Sequence, residues 1–205
     1  MSDRHPDERP RGPAAAADPV TDAAAAAGLP APVVLLLPGW QDSGPGHWQT
    51  RWEALHGDLR VQQSDWMRPL RGDWMARLDE VVSDLPGDVP VVLVAHSLGC
   101  HLVAAWAAHS RQSSRVRAAL LVAPADVERE DAALPLHRWR PVVRQRLPFA
   151  ATAVVSTDDP FARTDAAHAL AQAWGAGVVE IGPRGHINAA SGLGDWPEGR
   201  RLLAG

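Results

Sequence analysis

A serine between two small residues is the first feature of this sequence that could carry chemistry. Ser97 stands in the stretch Ala-His-Ser-Leu-Gly (residues 95–99), after an apolar, β-branched run and before a small, apolar, helix-like run. A serine at a sharp strand-to-helix turn exposes its hydroxyl as a nucleophile, and that turn needs small residues two positions to either side. The sequence supplies Ala95 and Gly99 there, where the usual signature has two glycines. We therefore interpret Ser97 as a candidate nucleophile.

A serine hydroxyl is barely ionised at neutral pH, so this nucleophile needs a base. His186 lies in a loop after the last predicted strand and follows Gly185, which allows the loop to fold back over the sheet edge. It is the predicted base. His96 adjoins the serine, but the alternation of side chains along a strand predicts that it points the other way. We expect His96 and His101 to be structural.

The base in turn needs a carboxylate to orient it. The segment Ser-Thr-Asp-Asp-Pro (residues 156–160) follows another predicted strand and offers two. Asp159 is favoured because the proline after it restricts it to an extended or turn conformation. Asp158 is more typical of a turn residue that bonds local backbone. Asp126, which follows the preceding predicted strand, stays open as a third candidate.

Serine-dependent acyl transfer also needs two donors for the developing oxyanion. The backbone N–H of Leu98, at the start of the predicted helix, is one candidate. We expect the other in the loop after the first strand, from the N–H of Trp40, with Gln41 as the alternative. Gly39 there would let the backbone approach the reacting carbonyl closely.

Strand-like apolar runs alternate with helix-like segments along most of the chain. The predicted strands are 32–37, 59–63, 91–94, 118–123, 151–156 and 178–181, and the predicted helices are 47–56, 73–85, 98–108, 138–146, 166–174 and a short one after Pro197. Short alternation of this kind predicts an α/β fold, a doubly wound, mostly parallel sheet with helices on both faces. Ligands bind outside the carboxyl ends of such strands, where the candidate residues fall. Their order, serine, aspartate, histidine, is that of α/β-hydrolases.

The composition and net charge of the chain limit its domain organisation and the other classes of protein to which it can belong. Residues 1–30 are rich in Ala, Pro, Asp and Arg, and we expect a disordered tail there, followed by an α/β-hydrolase domain over 31–205. A net charge of −4 argues against a nucleic-acid-binding surface. The single cysteine, Cys100, excludes an internal disulfide, and no apolar run is long enough for a membrane span. We expect a cytoplasmic protein that uses no cofactor and no metal.

Several stretches together resemble the small serine hydrolases related to retinoblastoma-binding protein 9. They are Leu-Pro-Gly-Trp (37–40), His-Trp-Gln (47–49), His-Ser-Leu-Gly (96–99), Ser-Thr-Asp-Asp-Pro-Phe (156–161) and Gly-His-Ile-Asn-Ala (185–189). The resemblance extends over about residues 33–200. It implies a compact α/β-hydrolase fold with little or no cap domain, a triad of Ser97, Asp159 and His186, and esterase-like activity on small substrates.

These observations predict a metal-independent serine hydrolase that acts on small carboxylic esters through an acyl-enzyme, with amides and thioesters as alternative substrates. We expect His47 and Trp48, together with Gly39 and Gln41, to line or brace the pocket. The alternative function is a protein-binding or scaffold member of the same fold with vestigial activity. It is disfavoured because no triad residue is missing. The expected partner is a small-molecule ester, not nucleic acid, and no protein partner is indicated.

Overall fold

A computed structural model describes residues 18–203 of the chain. Its strands are β1 (Val33–Leu37), β2 (Leu59–Arg60), β3 (Val91–His96), β4 (Val116–Val122), β5 (Ala150–Val155) and β6 (Gly177–Glu180). The α-helices are α1 (Pro19–Ala26), α2 (Trp48–His56), α3 (Arg71–Asp84), α4 (Leu98–Ala107), α5 (Thr164–Trp174) and α6 (Pro197–Arg201), and short 3₁₀ turns cover Arg111–Arg115, Leu134–Trp139 and Ala189–Ser191.

The strands form one parallel sheet in the order β2-β1-β3-β4-β5-β6. All six residues of the central strand β3 are buried, as expected for a strand that is covered on both faces. Leu37 pairs with Ala95, and His96 pairs with Val122, so neighbouring strands end at a common edge. The predicted α/β-hydrolase architecture is confirmed, and this edge is where the candidate residues lie.

Helices pack on both faces of the sheet, and each face has its own hydrophobic core. Helices α3, α4 and α5 cover one face, where Trp74, Trp106 and Trp174 are buried against alternate strand residues. Helices α1 and α2, with Trp196 just before α6, contribute to the core of the other face, where Trp48 and Trp52 are buried. Tryptophans therefore supply much of the large apolar surface that anchors the helices to the sheet.

The start of the domain differs from the sequence-based expectation. Residues 1–17 of the predicted disordered tail lie outside the described residues, but the remainder of that tail contains helix α1. Asp18 caps the helix and forms an ion pair with Arg200, while Val20 and Ala24 are buried. The tertiary partner Arg200, nearly at the other end of the chain, orders a segment whose own composition favours disorder.

The predicted helix over 138–146 is also wrong. A 3₁₀ turn ends at Trp139, and the residues that follow run without helix. Pro141 explains the break, because proline disfavours the helical conformation of the residue before it. Trp139 is buried and donates its Nε1–H to the carbonyl of Pro69 at 2.8 Å, so this connection packs onto the domain. None of the helices within residues 18–203 has both the length and the apolar character of a membrane span.

Candidate active site

Ser97 occupies a strained turn between β3 and α4. Its φ and ψ are 55° and −118°, a conformation that non-glycine residues rarely adopt. The Ser97 N–H donates to the carbonyl of Val122 at 2.9 Å, which continues the sheet bonding into the turn. Ala95 is fully buried opposite Leu37. The strand therefore accommodates the methyl group of Ala95 at the position where the usual signature has glycine.

The structure brings Ser97, His186 and Asp159 into one hydrogen-bonded chain. Nε2 of His186 lies 2.8 Å from Oγ of Ser97, and Nδ1 lies 2.9 and 2.8 Å from the two carboxylate oxygens of Asp159. A carboxylate only accepts, so Nδ1 carries the proton and the unprotonated Nε2 accepts the serine O–H. This is the tautomer that a general base next to a serine nucleophile requires.

The three candidate carboxylates have different partners. In addition to the Nδ1–H of His186, the carboxylate of Asp159 accepts the backbone N–H of Phe161 at 2.8 Å, and this second hydrogen bond fixes the rotamer of Asp159. Asp158 accepts the Ser156 hydroxyl at 2.8 Å and the Gly185 N–H at 2.7 Å. Those hydrogen bonds lower the pKa of Asp158. Asp126 accepts only the N–H of Glu128, at 3.0 Å, among the hydrogen bonds of the described chain. Asp159 is thus the carboxylate in contact with the imidazole, and Asp158 fastens the start of the histidine loop.

The loop after β1 lies directly against the serine. A Cβ added to Gly39 would fall 2.8 Å from Cβ of Ser97 and 3.3 Å from the backbone nitrogen of Leu98. The N–H of Gln41 is already engaged, because it donates to the Trp66 carbonyl at 3.2 Å. This leaves the N–H of Trp40, with that of Leu98 at the first turn of α4, as the pair of donors that we propose for an oxyanion.

His47 and Trp48 are buried and brace the site. Nδ1 of His47 accepts the Gln49 N–H at 3.1 Å and so caps helix α2. Burial, with a smaller contribution from the charge of Arg60, lowers the pKa of His47 to about 3. Trp48 is fully buried and donates its Nε1–H to the carbonyl of Ile187 at 2.8 Å. Bracing, rather than lining an open pocket, is therefore the role these two contacts indicate.

The expectation that His96 points away from the site is wrong. Its Nε2 lies 2.9 Å from the carbonyl oxygen of His186, and the two imidazole rings are 4.8 Å apart. The histidine loop folds back over the face of the sheet to which His96 points, and strand alternation alone does not report this. A cue was present in the sequence, since a histidine in a wholly apolar strand needs a hydrogen-bond partner. His101, as expected, is structural and bonds the carbonyl of Ala125.

Phe161 lies at the site, although the sequence analysis gave this residue no role of its own. Its ring lies 4.6 Å from the imidazole of His186 in an edge-on arrangement, and the residue is 52% exposed. An exposed aromatic ring against the base gives the site an apolar border.

The described residues contain no group of three or more His, Cys, Asp or Glu side chains placed to hold a metal ion. Cys100 is buried within α4, and burial raises the pKa of its thiol.

Solved structures with the same architecture are numerous. A protein described as a YdeN-like hydrolase from Pectobacterium atrosepticum is 28% identical, with a TM-score of 0.74 over 84% of this chain and 88% of that one. The ydeN gene product of Bacillus subtilis, 19% identical, has a TM-score of 0.63 over 84% of this chain and 96% of its own. Est1E of Butyrivibrio proteoclasticus, with ferulic acid bound, shares the fold at 12% identity and a TM-score of 0.63, over 84% of this chain and 87% of that one.

A search of curated proteins found no match. A family model described as serine hydrolase, in contrast, matches residues 34–205, a range that includes Ser97, Asp159 and His186. Together with the fold and the geometry at the end of β3, this match identifies the chain as a member of the serine hydrolase family.

Proposed function

We propose that this protein hydrolyses small carboxylic esters through an acyl-enzyme on Ser97. The observation that carries the proposal is the unbroken hydrogen-bond chain from Ser97 through His186 to Asp159, with contacts of 2.8 to 2.9 Å. Membership of the serine hydrolase family supports the same chemistry. The alternative of a binding protein with vestigial activity has no such support, because each triad side chain is present and in contact.

In the proposed reaction, Oγ of Ser97 attacks the acyl carbonyl while His186 takes the hydroxyl proton on Nε2. The negative oxygen of the tetrahedral intermediate accepts hydrogen bonds from the N–H groups of Leu98 and Trp40. As the intermediate collapses, the bond to the leaving oxygen breaks and His186 returns its proton to that oxygen. Water then attacks the acyl-serine with the same base, which releases the acid and regenerates Ser97. Asp159 holds the imidazole and stabilises its positive charge at both steps.

The architecture favours small substrates. Residues 123–149 connect β4 to β5 without an α-helix, and this segment packs onto the core of the domain through the buried side chains of Trp139 and Leu147. A site of this kind offers little surface for aligning a long chain. Simple esters need the least binding surface, because their alkoxide leaves once it receives one proton from His186. Amides and thioesters are the substrates to compare with them.

Labelling with a fluorophosphonate probe tests the proposal directly, because the probe reacts readily with an activated serine and hardly at all with an ordinary one. We expect the wild-type protein to be labelled and to hydrolyse p-nitrophenyl acetate, and Ser97→Ala to do neither. Ser114→Ala, which changes an exposed serine on the surface, is the matched control and should behave as the wild type. A folded wild-type protein that neither reacts with the probe nor hydrolyses the ester would contradict the proposal and favour the binding function.

A further inference from the structure

Two neighbouring carbonyls of the histidine loop are held by buried ring N–H groups. The carbonyl oxygen of His186 lies 2.9 Å from Nε2 of His96, and that of Ile187 accepts Nε1–H of Trp48 at 2.8 Å. His96 and Trp48 are 5% and 0% exposed, so water does not compete for these bonds. The donors come from two separate elements, the end of β3 and the start of α2.

The chemistry of these donors fixes their hydrogen positions. A carbonyl oxygen can only accept, so Nε2 of His96 carries the proton. The ring of His47 packs edge-on against that of His96, with 4.7 Å between the ring centroids. Burial lowers the pKa of both histidines, so both rings stay neutral beside a base that becomes charged during the reaction. Trp48 cannot change its protonation state and is a permanent donor.

Other hydrogen bonds fix the segment of the loop before His186, where the N–H groups of Arg184 and Gly185 donate to Ser156 and Asp158, whereas the two ring donors hold the carbonyls of His186 and Ile187 themselves. Gly182 and Gly185 have φ values of 72° and 54°, and Ile187 has the unusual φ of 48° for a β-branched residue. Such a conformation persists only where surrounding contacts impose it. Both contacts of His186 with the triad, to Ser97 and to Asp159, depend on where this backbone lies.

We propose that His96 and Trp48 are positioning residues for the hydrolysis, which hold the backbone of His186 and Ile187 so that the imidazole spans Ser97 and Asp159. This inference rests on the proposed function of the triad. Neither residue touches the reacting atoms, and each acts through His186. The loss of either donor frees one carbonyl and allows Nε2 of His186 to drift from the serine, which lowers the rate of the chemical step more than substrate binding.

A pair of matched tryptophan variants tests the inference. Trp48→Phe keeps an aromatic ring but removes the donor to Ile187. Trp52→Phe makes the same change at an equally buried residue, whose Nε1–H donates to the Asp195 carbonyl at 2.7 Å, away from the triad. We expect kcat of Trp48→Phe on p-nitrophenyl acetate to fall by about 10- to 100-fold with KM nearly unchanged. Trp52→Phe, measured per folded molecule, should retain the wild-type kcat.

Rescue by a conservative variant tests His96 independently. His96→Leu removes the donor, whereas the side-chain amide of His96→Gln supplies an N–H at about the same reach, so His96→Gln should recover most of the kcat that His96→Leu loses. His101→Leu and His101→Gln form the control pair, because His101 also bonds a buried carbonyl but away from the loop. These controls should change stability and leave kcat per folded molecule as in the wild type.

A spectroscopic readout separates this inference from the proposed function. The proton that His186 shares with Asp159 gives a far-downfield NMR resonance, which reports the position of the imidazole without any turnover. Its loss in Trp48→Phe and retention in Trp52→Phe would support the inference even if the wild-type protein failed to hydrolyse esters. Equal kcat and equal spectra for the two tryptophan variants would overturn it, and so would a His96→Gln variant no more active than His96→Leu.

Discussion

The carbonyl oxygen of Leu37 occupies the space that a side chain on Gly99 would need. The first turn of α4 packs onto the end of β1 at this point, and a Cβ on Gly99 would overlap the Leu37 carbonyl and crowd that of Pro38. The contact brings the start of the helix, the serine turn and the Gly39 loop within van der Waals distance of each other. The second small residue of the serine motif is therefore required by packing between two elements and not only by the local turn.

Gly99→Ala is expected to destabilise the protein strongly. Since the added methyl group meets backbone that cannot move aside, we expect a loss of about 2 to 3 kcal/mol in the free energy of unfolding, together with most of the activity. Gly72→Ala is the control, because Gly72 also lies in a helix and a Cβ there meets nothing within 4 Å. It should stabilise the protein by about 0.5 to 1 kcal/mol. Urea unfolding measures both, and similar values for the two variants would contradict the packing argument.

Asp159→Asn should reduce kcat far more than Asp158→Asn. An amide at Asp159 can donate to Nδ1 of His186 and favours the wrong imidazole tautomer, which lowers kcat by about 10⁴-fold in triads of this kind. At Asp158, the oxygen of an asparagine can still accept from Ser156 and Gly185, so we expect less than about a tenfold loss. Steady-state hydrolysis of p-nitrophenyl acetate measures both variants. Equal losses would show that the orienting carboxylate is misassigned.

Phe161→Ala should alter the preference for the leaving group. His186 gives its proton to the leaving oxygen, so the exposed Phe161 ring beside it borders that side of the substrate. For benzyl esters we expect kcat/KM to fall about tenfold, through loss of apolar contact. Methyl esters of the same acid should change much less. Leu59→Ala, at an exposed apolar residue on the edge strand β2, is the control, and an equal effect on both ester series would contradict this role.

Stability should fall as the pH drops below about 6.5, the reference pKa of an unfolded histidine. Burial keeps the pKa of His47 at about 3, so between pH 3 and 6.5 the unfolded chain binds a proton that the folded chain does not. His96 and His101, whose pKa values are also lowered by burial, act in the same direction. Each buried histidine then contributes a slope of up to about 1.4 kcal/mol per pH unit.

The variant His47→Asn isolates one of these contributions. Asparagine can still cap α2, so the helix keeps its N-cap while the titrating group is lost. We expect urea unfolding between pH 6 and 4.5 to show a slope that is shallower than in the wild type by about 1 kcal/mol per pH unit near pH 6, rising to about 1.4 at the lower end. An unchanged slope would mean that His47 does not resist protonation in the folded protein.

Asp18→Ala should destabilise the domain without lowering kcat. The carboxylate of Asp18 accepts the Val20 N–H at 3.3 Å and pairs with Arg200 at 2.7 and 2.9 Å. Its removal leaves the buried guanidinium with one carboxylate, that of Asp58, and we expect a loss of about 1 to 3 kcal/mol. Asp22→Ala, at an exposed position on α1, should have little effect. A loss of kcat per folded molecule would contradict a purely structural role for α1.

The sequence was sufficient for most of the fold because the signals were local. A parallel sheet that is covered on both faces produces long apolar runs, and the strands β1 and β3 to β6 were predictable from them. The association of Ser97, Asp159 and His186 was predictable as well, since residues that follow parallel strands converge at one edge. One local feature, the proline after Asp159, was enough to predict that Asp159 and not Asp158 contacts His186.

Two of the three errors came from contacts between distant parts of the chain. Helix α1 forms in an alanine-rich segment because Arg200 pairs with Asp18 there, and no local pattern reports that pairing. Whether the side chain of His96 faces the site depends on which face of the sheet the histidine loop packs against, and that loop lies some 90 residues later in the chain. The predicted helix over 138–146 was a local error, because it ran through Pro141, which disfavours helix at the residue before it.

The pairing of Asp18 with Arg200 also brings the two ends of the described domain next to each other. A short linker from residue 203 to residue 18 could therefore close the chain, which could then be opened at the exposed residues 86–88 before β3. Such a circular permutant would begin with the strand that leads to Ser97 and would encode the Gly39–Trp40 loop after all three triad residues. If it folds and hydrolyses esters, the site depends on the sheet that gathers its parts and not on the order in which the ribosome makes them.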